Sequence, residues 1–138
     1  MEAIVGILAA LILGSVLLHV IRLGYAMYKL NSATKEVADQ LNKAREIAMR
    51  DGRKVSVIFD AEENKFGIDL NNNNKLDRGE AEEMPEGVTF SESAVFSFTP
   101  AGTPPQKTKL PSITISNARN SRSISVSSLG SIEIDEIE

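Results

Sequence analysis

Ala3 to Ile21 reads AIVGILAALILGSVLLHVI, a stretch without a charged side chain in which Leu, Ile, Val and Ala predominate. As a helix rising about 1.5 Å per residue it extends roughly 28 Å, close to the thickness of a bilayer's hydrocarbon layer. It is long and apolar enough to span a membrane. Glu2 stands just before it, a carboxylate at the start of an apolar helix, where an unpaired buried charge costs several kcal/mol. The helical pattern then continues in a different form. Leu30, Ala33, Val37, Leu41, Ala44 and Ala48 recur at three- and four-residue steps, while Lys35, Glu36, Asp39, Lys43, Arg45 and Glu46 take the other positions. Arg45 and Arg50 suit the negative end of a helix, and Gly52 can take the left-handed conformation that closes one. Met1 to Arg50 is therefore expected as one helix, apolar in its first half and amphipathic in its second. Gly14 and Gly24 are points where such a helix packs closely against others or bends.

After Gly52 the period changes from helical to alternating. Lys54–Phe59 and Lys65–Asp69 read as a hairpin joined through Asp60–Asn64, followed by strands at Gly87–Phe90, Ala94–Phe98, Leu110–Ile115, Ser123–Ser127 and Ile132–Ile137. Pro100–Pro105 is too rich in turn formers to be other than loop. Strict alternation in the last two segments places one apolar face inward. The expected fold is α+β: a long N-terminal helix packed against a small antiparallel β-sheet head, formed as one sheet or two. The expected divisions are 1–29 for the apolar half-helix, 30–52 for the amphipathic half and 53–138 for the head.

The 138 residues carry a net charge of −4, with acids concentrated in 60–92 and 132–138. Without cysteine there is neither a disulfide framework nor a thiolate metal site. One histidine, His19, sits alone inside the apolar run, where helix packing accounts for it better than metal or proton relay. No nucleophile elbow, triad or Gly-rich phosphate loop is present, so an enzyme is not expected. Met-Glu is not the basic start of a cleavable secretory signal, so the apolar segment is expected to be retained. Arg22 and Lys29 follow the apolar run, and by charge alone that places the head in the cytoplasm.

A second candidate site is DLNNNNKLDRGE, Asp69 to Glu80. A calcium loop of the EF-hand type places oxygen ligands at its first, third, fifth, seventh, ninth and twelfth positions, because the hard cation takes six or more oxygens around a tight turn. Those positions are Asp69, Asn71, Asn73, Lys75 through its carbonyl, Asp77 and Glu80. Asn74 replaces the turn glycine and tolerates the left-handed conformation better than most residues. Two readings stay open: a Ca2+ site, or an Asn/Asp-rich turn whose side chains bond their own backbone. The acids Glu80, Glu82, Glu83 and Glu86 read as a solvated patch rather than a catalytic carboxylate pair. Arg119 and Arg122 could contact phosphate, but the acidic end Ile132–Glu138 repels it and argues against nucleic-acid binding.

In its order of parts the chain resembles the type IV pilin superfamily, and within it the minor pseudopilins of type II secretion and the FimT-type minor pilins. The resemblance runs through Glu2 followed by Gly6-Ile7-Leu8-Ala9-Ala10, the Ala44-Arg45 to Gly52 helix end and a Val-rich strand. It continues through the Asp/Asn loop closed by Asp77-x-Gly79-Glu80, the Phe98-x-Pro100-x-Gly102 element and the late Val126-Ser127-x-x-Gly130. It implies a structural subunit of a pilus-like filament or secretion pseudopilus, partnered by copies of itself or related pilins. It also implies an inner-membrane stage with the head extracytoplasmic, a prepilin peptidase, an assembly platform and N-terminal methylation. A few residues of the mature chain and a basic leader are then expected to precede Met1, which changes the count of flanking charges. For Glu2 the resemblance implies pairing with the N-terminal amine of a neighbouring subunit; the alternative is a charge resting at headgroup level. The competing overall reading is a monomeric membrane-tethered, extracytoplasmic binding module with a calcium loop.

Overall fold

The computed structural model describes residues 2–137. Helix α1 runs unbroken from Glu2 to Asp51, about 75 Å at the standard rise. All six apolar positions named for its second half are buried, together with Thr34, Ala38 and Ile47. Thr34 is held by donating its hydroxyl to the Leu30 carbonyl at 2.7 Å. Gly52 has a φ of 62°, and the Arg53 amide bonds the Ala48 carbonyl at 3.2 Å. This six-to-one bond is the Schellman closure that satisfies a terminal carbonyl and turns the chain into the first strand.

Among the described residues eight strands follow: β1 Val55–Asp60, β2 Lys65–Asp69, β3 Ala81–Glu83, β4 Thr89–Phe90, β5 Ala94–Phe98, β6 Ser112–Ser116, β7 Ser121–Val126 and β8 Ile132–Ile137. They form two antiparallel four-stranded sheets in the orders β3-β2-β1-β5 and β4-β6-β7-β8. Alternation decides which side chains enter the core. Val55, Val57 and Phe59 point inward from β1, while Ser56 bonds Ser97 hydroxyl to hydroxyl at 2.8 Å across the β1–β5 pair. Phe59 centres an aromatic cluster, with ring centroids 5.0 Å from Phe96, 5.2 Å from Phe90 and 6.1 Å from Phe66. Ile113, Ile115, Ile124 and Val126 of the second sheet join the same core, and α1 contacts strands of both sheets. Each large apolar side chain so enclosed contributes about 1.5–3 kcal/mol relative to exposure.

Several local expectations are corrected. The acidic stretch contains β3, whose Lys65–Glu83 to Gly67–Ala81 register adds an edge strand to the hairpin. The strand expected over 87–90 shortens to Thr89–Phe90, and that over 110–115 shifts to Ser112–Ser116, since Pro111 cannot donate to a ladder. The strand expected over 123–127 begins at Ser121, so Arg122 lies inside β7 and is buried. In β8 Ile134 is 47% exposed, because this edge strand pairs only with β7 and part of its apolar face lies open.

Candidate functional site

The uncharged start of α1 carries no packing from the head. From Ala3 to Arg22 every residue is exposed, and Leu13 stands at 70%. The helix thus divides by surroundings: enclosure begins at Leu30, while the uncharged end projects as a bare apolar rod. Glu2 opens the helix, but its side chain lies outside the described residues. His19 is exposed on the rod, and among the described residues no group of three or more His, Asp or Glu side chains gathers in metal-binding geometry.

The Asp69–Glu80 loop brings its oxygen-bearing side chains together by short local bonds. Asp69, at the end of β2, is fully buried and accepts the amides of Asn74 at 2.8 Å and Asn73 at 3.3 Å. The Asn71 and Asn73 side-chain oxygens accept the amides of Asn73 and Lys75, at 3.2 and 3.0 Å. Glu80 closes the loop by accepting the amides of Leu70 at 2.7 Å and Asp77 at 3.1 Å. Asn72 and Asn74 both have positive φ, 56° and 60°, so Asn74 performs the turn for which glycine is the usual residue. The Asn71 and Asn73 amides converge on one oxygen of Asp77, at 2.8 and 2.6 Å, and these two bonds hold its carboxyl below the usual range. In this arrangement the three carboxylates do not gather in metal-binding geometry, and Asp69 and Glu80 are engaged by backbone amides. The donor set nonetheless fits a hard cation. It is all oxygen, and rotating the two amides would turn their oxygens toward Asp77 in place of their N–H groups. Lys75 could contribute only its carbonyl.

The remaining sequence candidates separate. Glu82 is not part of a freely solvated patch: it lies in β3 against α1, accepting the Gln40 amide at 3.2 Å. Its second oxygen is buried without a donor, and the nearby Glu82 carboxylate, as a hydrogen-bond partner and then as a like charge, raises the Glu36 pKa. Arg122 is enclosed, reaching Asn31 at 3.3 Å, the Ser121 carbonyl at 3.0 Å and Glu136 at 3.7 Å. Arg119 is exposed on the turn between β6 and β7.

A contact that the sequence does not announce ties the end of α1 to two loops. The Arg45 guanidinium donates to the Gly102 carbonyl at 2.9 Å and reaches the Leu129 carbonyl at 3.5 Å. Gly130, with a φ of 90°, packs so closely on the Gly102 carbonyl and Arg45 that a Cβ there would collide with both. Three separate sequence motifs, Ala44-Arg45, Phe98 to Gly102 and Val126 to Gly130, therefore meet at one point.

The profile of the family described as type II transport protein GspH matches residues 33–130, well over half of the chain. The chain belongs to the GspH family. The matched region includes all three motifs of the Arg45 junction. Among solved structures, this GspH-family chain resembles the type IV minor pilin FimU of Pseudomonas aeruginosa at 20% identity. The TM-score is 0.65, over 79% of this chain and 90% of that one. A second crystal form of FimU gives 0.63 at 20% identity, over 77% and 92%. The minor pseudopilin EpsH from the type 2 secretion system of Vibrio cholerae gives 0.60 at 12% identity, over 78% and 97%. At these identities the likeness establishes a common fold. A search of curated protein sequences gave no match. Family and fold together make this GspH-family chain a pilin-like filament subunit.

Proposed function

We propose that the chain is a structural subunit of a type IV pilus-like filament or a type II secretion pseudopilus, and that it assembles through the bare half of α1. The observation that carries this reading is the division of one continuous helix into a half enclosed by the head and an exposed, uncharged half. A membrane satisfies the exposed half before assembly; the packed helices of neighbouring subunits satisfy it afterwards. The reading places the chain in a bacterial inner membrane with the head extracytoplasmic, then in a periplasmic or extracellular filament. Prepilin peptidase and an assembly platform act on it along that route, and it performs no catalytic step of its own. Glu2 is assigned to pairing with a neighbour's terminal amine, which compensates a charge that would be costly if left unpaired in the apolar core. Glu2→Leu is expected to stay membrane-inserted yet enter filaments poorly. Wild-type recovery of the variant with its partner pilins in a pull-down would refute the assignment.

We further propose that the Asp69–Glu80 loop takes up Ca2+ in the head. Five side chains of the right chemistry already lie on one tight turn, and the asparagine at the glycine position has the required backbone. Calcium is expected to raise the melting temperature and to give a binding heat that Asp77→Ala abolishes. Titration without heat, together with a melting temperature indifferent to chelator, would exclude it.

A further inference from the structure

Where α1 leaves the head, an open groove of about 310 Å³ lies between the helix, the segment around Glu86 and the β6–β7 turn. Its lining contains three cations, Arg22, Lys29 and Arg119, and one acid, Glu86. The acid's backbone carbonyl, at 3.5 Å, is an acceptor for the Lys29 ammonium. Lys29 also lies 4.8 Å above the Tyr25 ring, and Tyr25 and Tyr28 are 59% and 67% exposed. Arg22 is the first residue after the uncharged run, and Lys29 follows two helical turns later on the same side. With Ile21 at the edge of the hydrocarbon layer, Arg22 and Tyr25 lie at headgroup depth, and Lys29 reaches back toward it along its alkyl chain.

The head supplies the third cation and holds it there. Asn117 accepts the amides of Arg119 at 2.9 Å and Asn120 at 2.8 Å, while its own amide donates to the Ala26 carbonyl at 3.2 Å. Asn120 anchors the other side of the turn on the Met27 sulfur at 3.0 Å. The turn is thus fastened to α1 one to two turns beyond the apolar run, with Arg119 beside the two juxtamembrane cations.

We propose that this groove binds the headgroup of an anionic phospholipid from the leaflet into which the head emerges, docking the head on the membrane before assembly. The inference rests on the membrane residence proposed above. Charge complementarity selects the occupant: a net positive groove at headgroup depth meets a phosphate already held at that depth. Leu23 supplies an apolar wall on the side of the groove nearer the hydrocarbon layer.

The test uses the full chain in nanodiscs of equal phosphatidylglycerol and phosphatidylcholine, with retained lipids counted by native mass spectrometry. The wild type is expected to retain phosphatidylglycerol preferentially. Arg119→Gln is expected to lower that preference about fivefold, the equivalent of about 1 kcal/mol for one basic side chain at an anionic surface. Lys107→Gln, an exposed cation in the Pro-rich loop, should leave the preference unchanged. Equal retention of both lipids by the wild type, or a preference insensitive to Arg119→Gln and Arg22→Gln alike, overturns the proposal while leaving membrane residence intact. Release of the wild-type chain from membranes by alkaline carbonate would overturn both.

Discussion

Arg45 shows how one side chain joins parts of the chain that are far apart in sequence. Its guanidinium bonds carbonyls 57 and 84 residues away, and Gly130 lets the second loop approach the first. Both partners are backbone carbonyls, and the shorter bond, to Gly102, is half-buried, so the loss on truncation is that of a charge-assisted hydrogen bond, not of a surface ion pair. Arg45→Gln is expected to destabilise the head by about 2 kcal/mol. The measurement is urea denaturation, with a lower midpoint and an unchanged slope. A shift no larger than that of an exposed control such as Lys43→Gln would mean that the junction bears no load.

Among the elements, α1 and β3 meet through two carboxylates, and pH acts on that contact. Glu36 has its pKa raised from the ordinary value of 4.5, first by the hydrogen bond with Glu82, then by burial and by like charge from Glu82 and Asp39. A raised carboxyl pKa means that the folded state holds the proton more tightly. The contact therefore stabilises below the unfolded value and ceases to do so as pH rises through the folded one. Glu36→Gln, which keeps a donor for Glu82 at every pH, is expected to be more stable than wild type at pH 7, by only a fraction of a kcal/mol because Glu36 is largely exposed. The gap should close as the pH falls toward 4. A constant gap across that range would remove the carboxylate pair as its cause. The same element level shows what sequence could convey. Both halves of α1, its glycine closure and the β1–β2 hairpin follow from period and turn chemistry, which act within a few residues. The strand β3 was invisible because Ala81-Glu82-Glu83 has no strand propensity and exists only by pairing with β2. Burial of Arg122 was hidden for a related reason: a charged residue inside an alternating strand is specified by Asn31 and Glu136, which lie on other elements. In the Asp69–Glu80 loop, residue types and the left-handed Asn74 were legible, but the bonds that aim the amides at Asp77 were not.

For the molecule as a whole, the division of α1 implies that the head does not need the bare rod in order to fold. Among the described residues, every buried apolar one lies at Leu30 or beyond. A chain beginning at Arg22 is expected to be monomeric and soluble and to melt within about 4 °C of the full-length protein in detergent. Loss of the cooperative transition in that fragment would show that the apolar half contributes to the head after all.

The continuity of α1 has a mechanical consequence. Because the rod and the spine of the head are one helix, tension on an embedded subunit passes along the helix axis into the core without crossing a hinge. Leu30 to Ala48 lie along that axis and pack against both sheets, so the pull loads their contacts in shear, in parallel. The Arg45 junction, tying the last turns of the helix to two loops, resists the same sliding. Extraction of the helix then requires many contacts to fail at once, whereas peeling the edge strand β8 from β7 would break them one at a time.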